Sequence, residues 1–282
     1  MTAVECLQQL RNQTDLSLIF EGQAPGGEVG AHFARSADGQ RFVFKWSDEP
    51  SDVGYFEGIV YRVGLLRQVG YPVPRYLAPV ALPGGAVIVQ EAVDGGWSDE
   101  VDHELLDAIL SINDLQGGHT DDAGGWTEFI RRTLTEGEDG YCVHASLRAH
   151  SQRTGALLDW IRGVGATHGQ LPGHDVVHVD FHHRNMLRVD DRLSAVVDWE
   201  GCCWGDRAFD LVTFCFGLSE ATVAPGVEER AWRRACEITG PEALRAYVAH
   251  MSLRRVDWTI RFHPDEIDKV LCHVERFVGF VA

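Results

Sequence analysis

The sequence has few positive charges and lacks the features that mark several large classes of protein. Its 282 residues carry 25 Lys and Arg against 42 Asp and Glu, a net charge of −17. Such a surface repels phosphate backbones, so we expect no nucleic-acid partner. No run approaches 18 uncharged apolar residues, and the first residues lack a basic leader. We therefore expect no membrane partner, no secretory signal and a cytoplasmic location.

Paired cysteines of the C-x-x-C type are also missing. The seven cysteines are an odd number, so we expect reduced, packed thiols rather than a disulfide framework or a structural zinc site. Neither G-x-x-x-x-G-K-[ST] nor G-x-S-x-G occurs. These two absences exclude the P-loop and serine-hydrolase classes.

The pattern of apolar residues divides the chain into a strand-rich first part and a mostly helical remainder. Residues 1–92 show about five short strands and one helix, and an Asp-Gly turn joins two of the strands. From residue 94 onward the spacing is helical except for a short β segment at 176–197. We predict an α+β fold of two lobes, a small antiparallel β-sheet lobe (1–92) and a larger, mostly helical lobe (93–282). The expected strands are 16–20, 31–35, 41–46, 76–80 and 87–89, and the expected helices are 56–66, 103–115, 156–164, 228–238, 241–253 and 267–277.

One short segment carries the spacing of a phosphoryl-transfer enzyme. Residues 178–185 read His-Val-Asp-Phe-His-His-Arg-Asn, and H-x-D-x-x-x-x-N is the spacing of the kinase catalytic loop. Two apolar runs joined at 190–191 follow, and they predict a hairpin that brings Asn185 and Asp198 together. With Asp180, two carboxylates and an amide oxygen would converge, which are donors suited to Mg²⁺. Phosphoryl transfer needs such a metal and a carboxylate that orients the attacking hydroxyl.

The stretch 177–211 resembles the aminoglycoside phosphotransferase family, whose fold is similar to that of protein kinases, and the resemblance extends over nearly the whole chain. It implies a two-lobed protein-kinase-like fold and an enzyme that uses ATP, or GTP, with Mg²⁺. By the same resemblance Asp180 is the catalytic base, and Asn185 and Asp198 bind the metal. We expect a monomer or a homodimer.

The resemblance also implies supporting roles around this loop. His178 would brace it, and the run 204–211 matches the family pattern, in which Asp210 would hold the loop. Two departures stand out. The glycine-rich stretch 22–30 lacks G-x-G-x-x-G, and Trp-Glu at 199–200 replaces the Phe-Gly of protein kinases.

In the first lobe, Lys45 resembles the strand lysine that binds nucleotide phosphates. It shares a face of its strand with Val43 because side chains alternate along a strand. Glu57, in the following helix, resembles the ion-pair partner of that lysine. The connector between the lobes adds further candidates for nucleotide binding, which are Gln90, Glu91 and Val93.

The acceptor is expected to be a cation. Residues 93–282 hold 18 Lys and Arg against 32 Asp and Glu, whereas residues 1–92 hold 7 against 10. Segments 180–185 and 198–203 look most like the phosphotransferases that inactivate viomycin and capreomycin, the basic cyclic peptides called tuberactinomycins. An acidic lobe would attract such a molecule. The candidate acceptor-binding residues are Glu200, Asp206, Glu136, Glu138 and Asp139.

Several other functions stay open. An aminoglycoside, or a metabolite such as choline, homoserine or a sugar, would use the same catalytic loop. The histidine-rich segment 178–183 could instead bind zinc or iron in a hydrolase, although Asn185 and Asp198 would then have no role. A nucleotide-binding regulator without activity is a further alternative. The presence of Lys45 together with Asp180, Asn185 and Asp198 argues against it.

Overall fold

The structure is a computed structural model that describes residues 1–23, 31–122, 124–138 and 140–282. The helices are α1 (Ala3–Gln13), α2 (Val53–Gln68), α3 (His103–Asp114), α4 (Trp126–Glu136), α5 (His144–His150), α6 (Gln152–Thr167), α7 (Ala208–Gly217), α8 (Val227–Ile238), α9 (Pro241–Phe262) and α10 (Ile267–Val281). The strands are β1 (Leu18–Gln23), β2 (His32–Ser36), β3 (Arg41–Ser47), β4 (Val80–Leu82), β5 (Gly85–Glu91), β6 (Glu100–Val101), β7 (Asp175–Val177), β8 (Met186–Val189), β9 (Arg192–Val196), β10 (Cys203–Gly205) and β11 (Thr222–Val223).

The chain forms two compact units whose limits differ from the predicted lobes. The first unit comprises residues 1–97 and 186–202, and the second comprises 98–185 and 203–282. The β8–β9 hairpin therefore belongs with the strand-rich part of the chain rather than with the helical part. The assignment of nucleotide binding to one unit and of acceptor binding to the other stays a prediction.

The first unit is built on an antiparallel sheet of five strands in the order β1-β2-β3-β5-β4. Alternation along β3 buries Phe42 and Phe44 in its core and leaves Lys45 on the opposite face. The strand expected at 76–80 is largely absent, because Tyr76 makes only an isolated bridge and β4 begins at Val80.

The first unit also contains a helix, α1, that was not predicted, so the expectation of one helix in this lobe was wrong. Thr2 and Glu5 form a capping box at the start of α1, which is a sequence signal for a helix start. The helix is short, and it adds only Cys6, Leu7 and Leu10 to the core. The capping box was therefore the sequence signal that the prediction missed.

In the second unit, helices pack around α9, which is buried along most of its length. The predicted helices of this unit are present, and α4, α5 and α7 are additional. Nearly every residue of α7 is buried, so its sequence lacks the amphipathic pattern on which prediction relies. Antiparallel β7 and β10 form a small ladder at the start of the 178–185 segment. Over the described residues, we find no helix with the length and apolar character needed to cross a membrane.

Candidate active site

In the first unit, Lys45 on β3 is held by two carboxyl groups. Its Nζ lies 2.5 Å from Oδ1 of Asp198 and 2.9 Å from Oε2 of Glu200, and its side chain is 12% exposed. Burial alone would lower the pKa of Lys45, but Glu200 and then Asp198 raise it overall. The lysine is therefore a largely buried cation that stays charged, and a charged ammonium suits the binding of phosphate.

The β8–β9 hairpin fixes the position of Asp198. Met186 pairs with Val196, so the hairpin begins directly after Asn185 in the chain and ends two residues before Asp198. Asp198 adopts a left-handed backbone conformation with φ 70° and leads into a 3-10 helix at Trp199–Gly201. Trp199 anchors this turn, because it is buried and its indole donates a hydrogen bond of 2.8 Å to the Val196 carbonyl.

Glu200 takes the place that was predicted for Glu57. Burial first, and then a hydrogen bond to Asp198, raise the pKa of Glu200, while Lys45 acts in the opposite direction. The Tyr55 hydroxyl donates a hydrogen bond to the backbone carbonyl of Glu200. Glu57 is exposed on α2. Lys45 and Glu57 both lie in the described part of the chain, and no ion pair joins them. The expected Lys45–Glu57 pair is corrected, because the turn after Asp198 delivers a nearer carboxylate.

The other nucleotide-binding candidates lie on or just beyond β5. Gln90 is buried opposite Val43. Glu91 accepts hydrogen bonds of 2.9 Å from both Arg75 and Gln40, so its carboxylate is committed within the protein. The half-buried Val93 and the backbone of this connector stay candidates for nucleotide contact. Most of the glycine-rich stretch lies outside the described residues.

In the second unit, Asp210 holds the segment that leads to Asp180. One carboxylate oxygen accepts from the His178 backbone N–H at 2.8 Å and from the Gln116 side chain at 2.6 Å. The other accepts from the Val179 N–H at 2.9 Å. Burial raises the pKa of Asp210 to about 7, against the lowering effect of these donors. Asp210 is fully buried, so it supports the loop and cannot itself reach a substrate.

The Asp180 carboxylate is paired with an arginine that the sequence did not reveal. Arg254, on α9, donates from Nη2 to Oδ1 of Asp180 at 2.7 Å and from Nη1 to the Val179 carbonyl at 2.9 Å. Burial opposes ionisation of Asp180, but Arg254 and then His182 outweigh it and hold its pKa well below the usual range. The Asp180 side chain is 37% exposed. It is therefore a charged, accessible carboxylate, as a hydroxyl-orienting group requires.

Asn185 completes the loop. Its buried amide nitrogen donates 2.9 Å to the Asp180 carbonyl and lies 3.4 Å from Oδ2 of Asp180. The amide oxygen is then the atom that suits a hard cation, and with carboxylate oxygen it fits the ligand chemistry of Mg²⁺. His178 braces the loop, since its Nδ1 accepts from the Asp180 N–H at 3.2 Å. Within the part of the chain that is described, no group of three or more His, Cys, Asp and Glu side chains is placed to hold a metal ion.

The remaining acceptor-binding candidates fare differently. Asp206 is buried and accepts hydrogen bonds of 2.9 Å from the Ala208 N–H and from the Tyr247 hydroxyl. It fixes the start of α7, so its expected contact with an acceptor is corrected. Glu136 is exposed at the end of α4, and Glu138 accepts a 2.6 Å hydrogen bond from the Thr133 hydroxyl. Asp139 lies outside the described residues.

The sequence model of the Phosphotransferase enzyme family matches residues 23–247, and the chain belongs to this family. Hygromycin-B 4-O-kinase from Escherichia coli is 30% identical over 78 residues, a match that covers 28% of this chain and only 23% of that protein.

Solved structures extend the likeness to nearly the whole chain. A thermostable mutant of aminoglycoside phosphotransferase APH(4)-Ia, in a ternary complex with ADP and hygromycin B, is 17% identical with a TM-score of 0.66, and 97% of each chain is covered. Amicoumacin kinase hAmiN in complex with AMP-PNP, Ca²⁺ and Ami is 14% identical with a TM-score of 0.63, covering 99% of this chain and 94% of that one. The predicted kinase-like α+β fold is confirmed.

Proposed function

We propose that the protein is an ATP-dependent O-phosphotransferase that modifies a hydroxyl of a cationic antibiotic. The observation that carries this proposal is the loop at 178–185, in which Asp210 fixes the backbone and Asp180 stays charged and accessible. Family membership supports the reaction class. In the reaction, the acceptor oxygen forms a bond to the γ-phosphorus, the bond to the ADP oxygen breaks, and the hydroxyl proton leaves the acceptor.

Each residue has one role in this proposal. Asp180 orients the acceptor hydroxyl and receives its proton as the new bond forms. Lys45 binds nucleotide phosphate, and Asn185 and Asp198 are assigned as Mg²⁺ ligands. The cation, when bound, would neutralise charge on the phosphates.

A tuberactinomycin such as capreomycin or viomycin is our first choice of acceptor, and an aminoglycoside is second. The support is the excess of acidic over basic residues in 93–282, with 32 against 18, together with the resemblance of segments 180–185 and 198–203. Carboxylates raise the local concentration of a cationic molecule, and added salt screens that attraction. The KM of the acceptor should therefore rise with ionic strength more steeply than the KM of ATP.

The test is nucleotide consumption by the purified chain against a panel of acceptors. The panel contains capreomycin, viomycin, hygromycin B, kanamycin, choline, homoserine and a ketosamine sugar, with ATP and GTP compared. We expect turnover with one of the antibiotics and confirmation of a phosphate monoester by mass spectrometry. Turnover with choline, homoserine or the sugar alone would make the protein a metabolic kinase. The Asp180→Asn variant is the matched control, and its turnover should fall by roughly 10²–10⁴-fold with every acceptor.

A further inference from the structure

Arg254 makes two hydrogen bonds to consecutive residues of the catalytic loop. Its Nη1 reaches the Val179 carbonyl at 2.9 Å, and its Nη2 reaches Oδ1 of Asp180 at 2.7 Å. The guanidinium group is planar and presents its N–H donors at fixed angles. One side chain thus sets both the path of the backbone and the orientation of the carboxylate.

The backbone that Arg254 holds is strained. Val179 has φ 73°, a left-handed conformation that a β-branched residue rarely adopts. Such a conformation persists only where the surroundings impose it. Here the Val179 N–H donates to Asp210 at 2.9 Å, and the Val179 carbonyl accepts from Arg254. The side chains of Asp210 and Arg254 therefore hold opposite ends of the residue that precedes Asp180.

The two oxygens of the Asp180 carboxylate have different surroundings. Oδ1 receives the short, charge-assisted bond from Arg254. Among the described residues, the contacts of Oδ2 are long, 3.4 Å to Nε2 of His182 and 3.4 Å to Nδ2 of Asn185. Oδ1 is thus occupied, and Oδ2 keeps the capacity to accept a hydrogen bond from an incoming hydroxyl.

We propose that Arg254 is a positioning residue for phosphoryl transfer, which fixes the Val179 turn and reserves Oδ2 of Asp180 for the acceptor hydroxyl. This inference rests on the proposed function, in which Asp180 contacts the acceptor. Arg254 itself acts only through Val179 and Asp180. A displacement of about 1 Å at the reacting group can cost on the order of 10²-fold in rate, so loss of Arg254 should lower kcat far more than it changes nucleotide affinity.

The experiment compares Arg254→Gln and Arg254→Lys with Arg245→Gln, using capreomycin as the acceptor and, in parallel, water as the acceptor in ATP hydrolysis. Arg245 is the matched control because it lies on the same helix, α9, and is exposed. We expect Arg254→Gln to lower kcat by about 10²-fold with the KM of ATP changed less than about threefold. Arg254→Lys should recover part of kcat, since a point charge cannot replace both bonds. Arg245→Gln should resemble the wild type.

Two further measurements separate positioning from a folding defect. Guanidinium at millimolar concentration should restore activity to Arg254→Ala, because the ion can occupy the vacated site. In an Asp180→Asn background, Arg254→Gln should cause no additional loss of activity. An unchanged kcat in Arg254→Gln would overturn the inference, and so would a loss that adds in full to that of Asp180→Asn.

Failure of the proposed function would look different. If the wild type consumed no ATP with either acceptor, the pairing would be tested by thermal unfolding alone. The fall in Tm caused by Arg254→Gln should then be smaller in the Asp180→Asn background than in the wild type. Equal falls in the two backgrounds would overturn the role of Arg254 through Asp180.

Discussion

The two charged clusters of the molecule are organised in opposite ways. In the first unit, two carboxyl groups share one ammonium, and the Asp198 side chain is 45% exposed. In the second unit, the Asp180 carboxylate has an arginine partner, and the fully buried Asp210 fixes the backbone before it. The first cluster has an excess of acidic oxygen, which suits the arrival of a divalent cation. The second cluster is preorganised, so its geometry needs little adjustment when a substrate binds.

The largest effect should come from removing the Asp180 carboxylate. We expect Asp180→Ala to lower kcat by roughly 10²–10⁴-fold, the range for a positioned acid–base group. Binding of AMP-PNP should survive, because Lys45, the proposed phosphate-binding residue, lies in the first unit. Steady-state kinetics and calorimetry check the two parts. If the variant keeps more than about a tenth of the wild-type kcat, Asp180 has no catalytic role.

The next effect concerns the cation of the first cluster. Lys45→Met should lower both kcat and nucleotide affinity, because an ammonium near the phosphates stabilises charge that grows in the transition state. Affinity for the acceptor should stay nearly unchanged. Isothermal titration with AMP-PNP and with the acceptor measures the two affinities separately. Equal losses of both would indicate a folding defect instead of a nucleotide role.

A smaller effect distinguishes Glu200, which pairs with Lys45, from Glu57, which the sequence predicted as the partner. Glu200→Gln should raise the KM of ATP and lower kcat, so that kcat/KM for ATP falls by about tenfold. This is the scale of one charge-assisted hydrogen bond. Glu57→Gln should behave like the wild type, because Glu57 is exposed and Lys45 pairs with Asp198 and Glu200. The two variants carry the same chemical change at different distances from Lys45. A larger loss of activity in Glu57→Gln than in Glu200→Gln would mean that Glu57 is the partner of Lys45.

How far the sequence predicts these clusters depends on how local their contacts are. The alternation that places Lys45 opposite Phe44, and the hairpin that ends before Asp198, are set by neighbouring residues, and both were predictable. The ion pair of Lys45 with Glu200 joins residues 155 positions apart, and two acidic residues of equal charge competed for the assignment. Periodicity and spacing do not rank such competitors.

Arg254 illustrates the harder case. It lies 74 positions after Asp180 on a helix whose sequence shows a general apolar pattern. No motif surrounds this arginine, and several other arginines occur nearby on the same helix. Its partner is decided by how α9 packs against the catalytic loop. That tertiary arrangement cannot be derived from spacing along one chain.

The smallest expected effect concerns the buried face of α9, one turn before Arg254. His250 packs against the rings of Phe129 and Phe209, with centroids 5.8 Å and 5.1 Å away. Burial, and then the positive charge of Arg254, lower the pKa of His250 to about 3. In the unfolded chain the His250 imidazole binds a proton near pH 6.5, whereas in the folded chain it stays neutral at that pH. Stability is therefore lost as pH falls below about 6.5, at up to roughly 1.4 kcal/mol per pH unit from this residue.

His250→Phe should keep the aromatic packing and remove that proton, so its free energy of unfolding should fall less steeply than that of the wild type between about pH 6.5 and 5. Denaturant unfolding at several pH values in this window measures the slope, and most carboxylates begin to titrate only at lower pH. The exposed His150, changed to Gln in parallel, shows what removal of a surface imidazole does to the same curve. Parallel curves for wild type and His250→Phe would mean that water or a counter-charge reaches His250. The positive charge of Arg254 would then be screened at the buried face of α9, and the contrast between the two clusters would weaken.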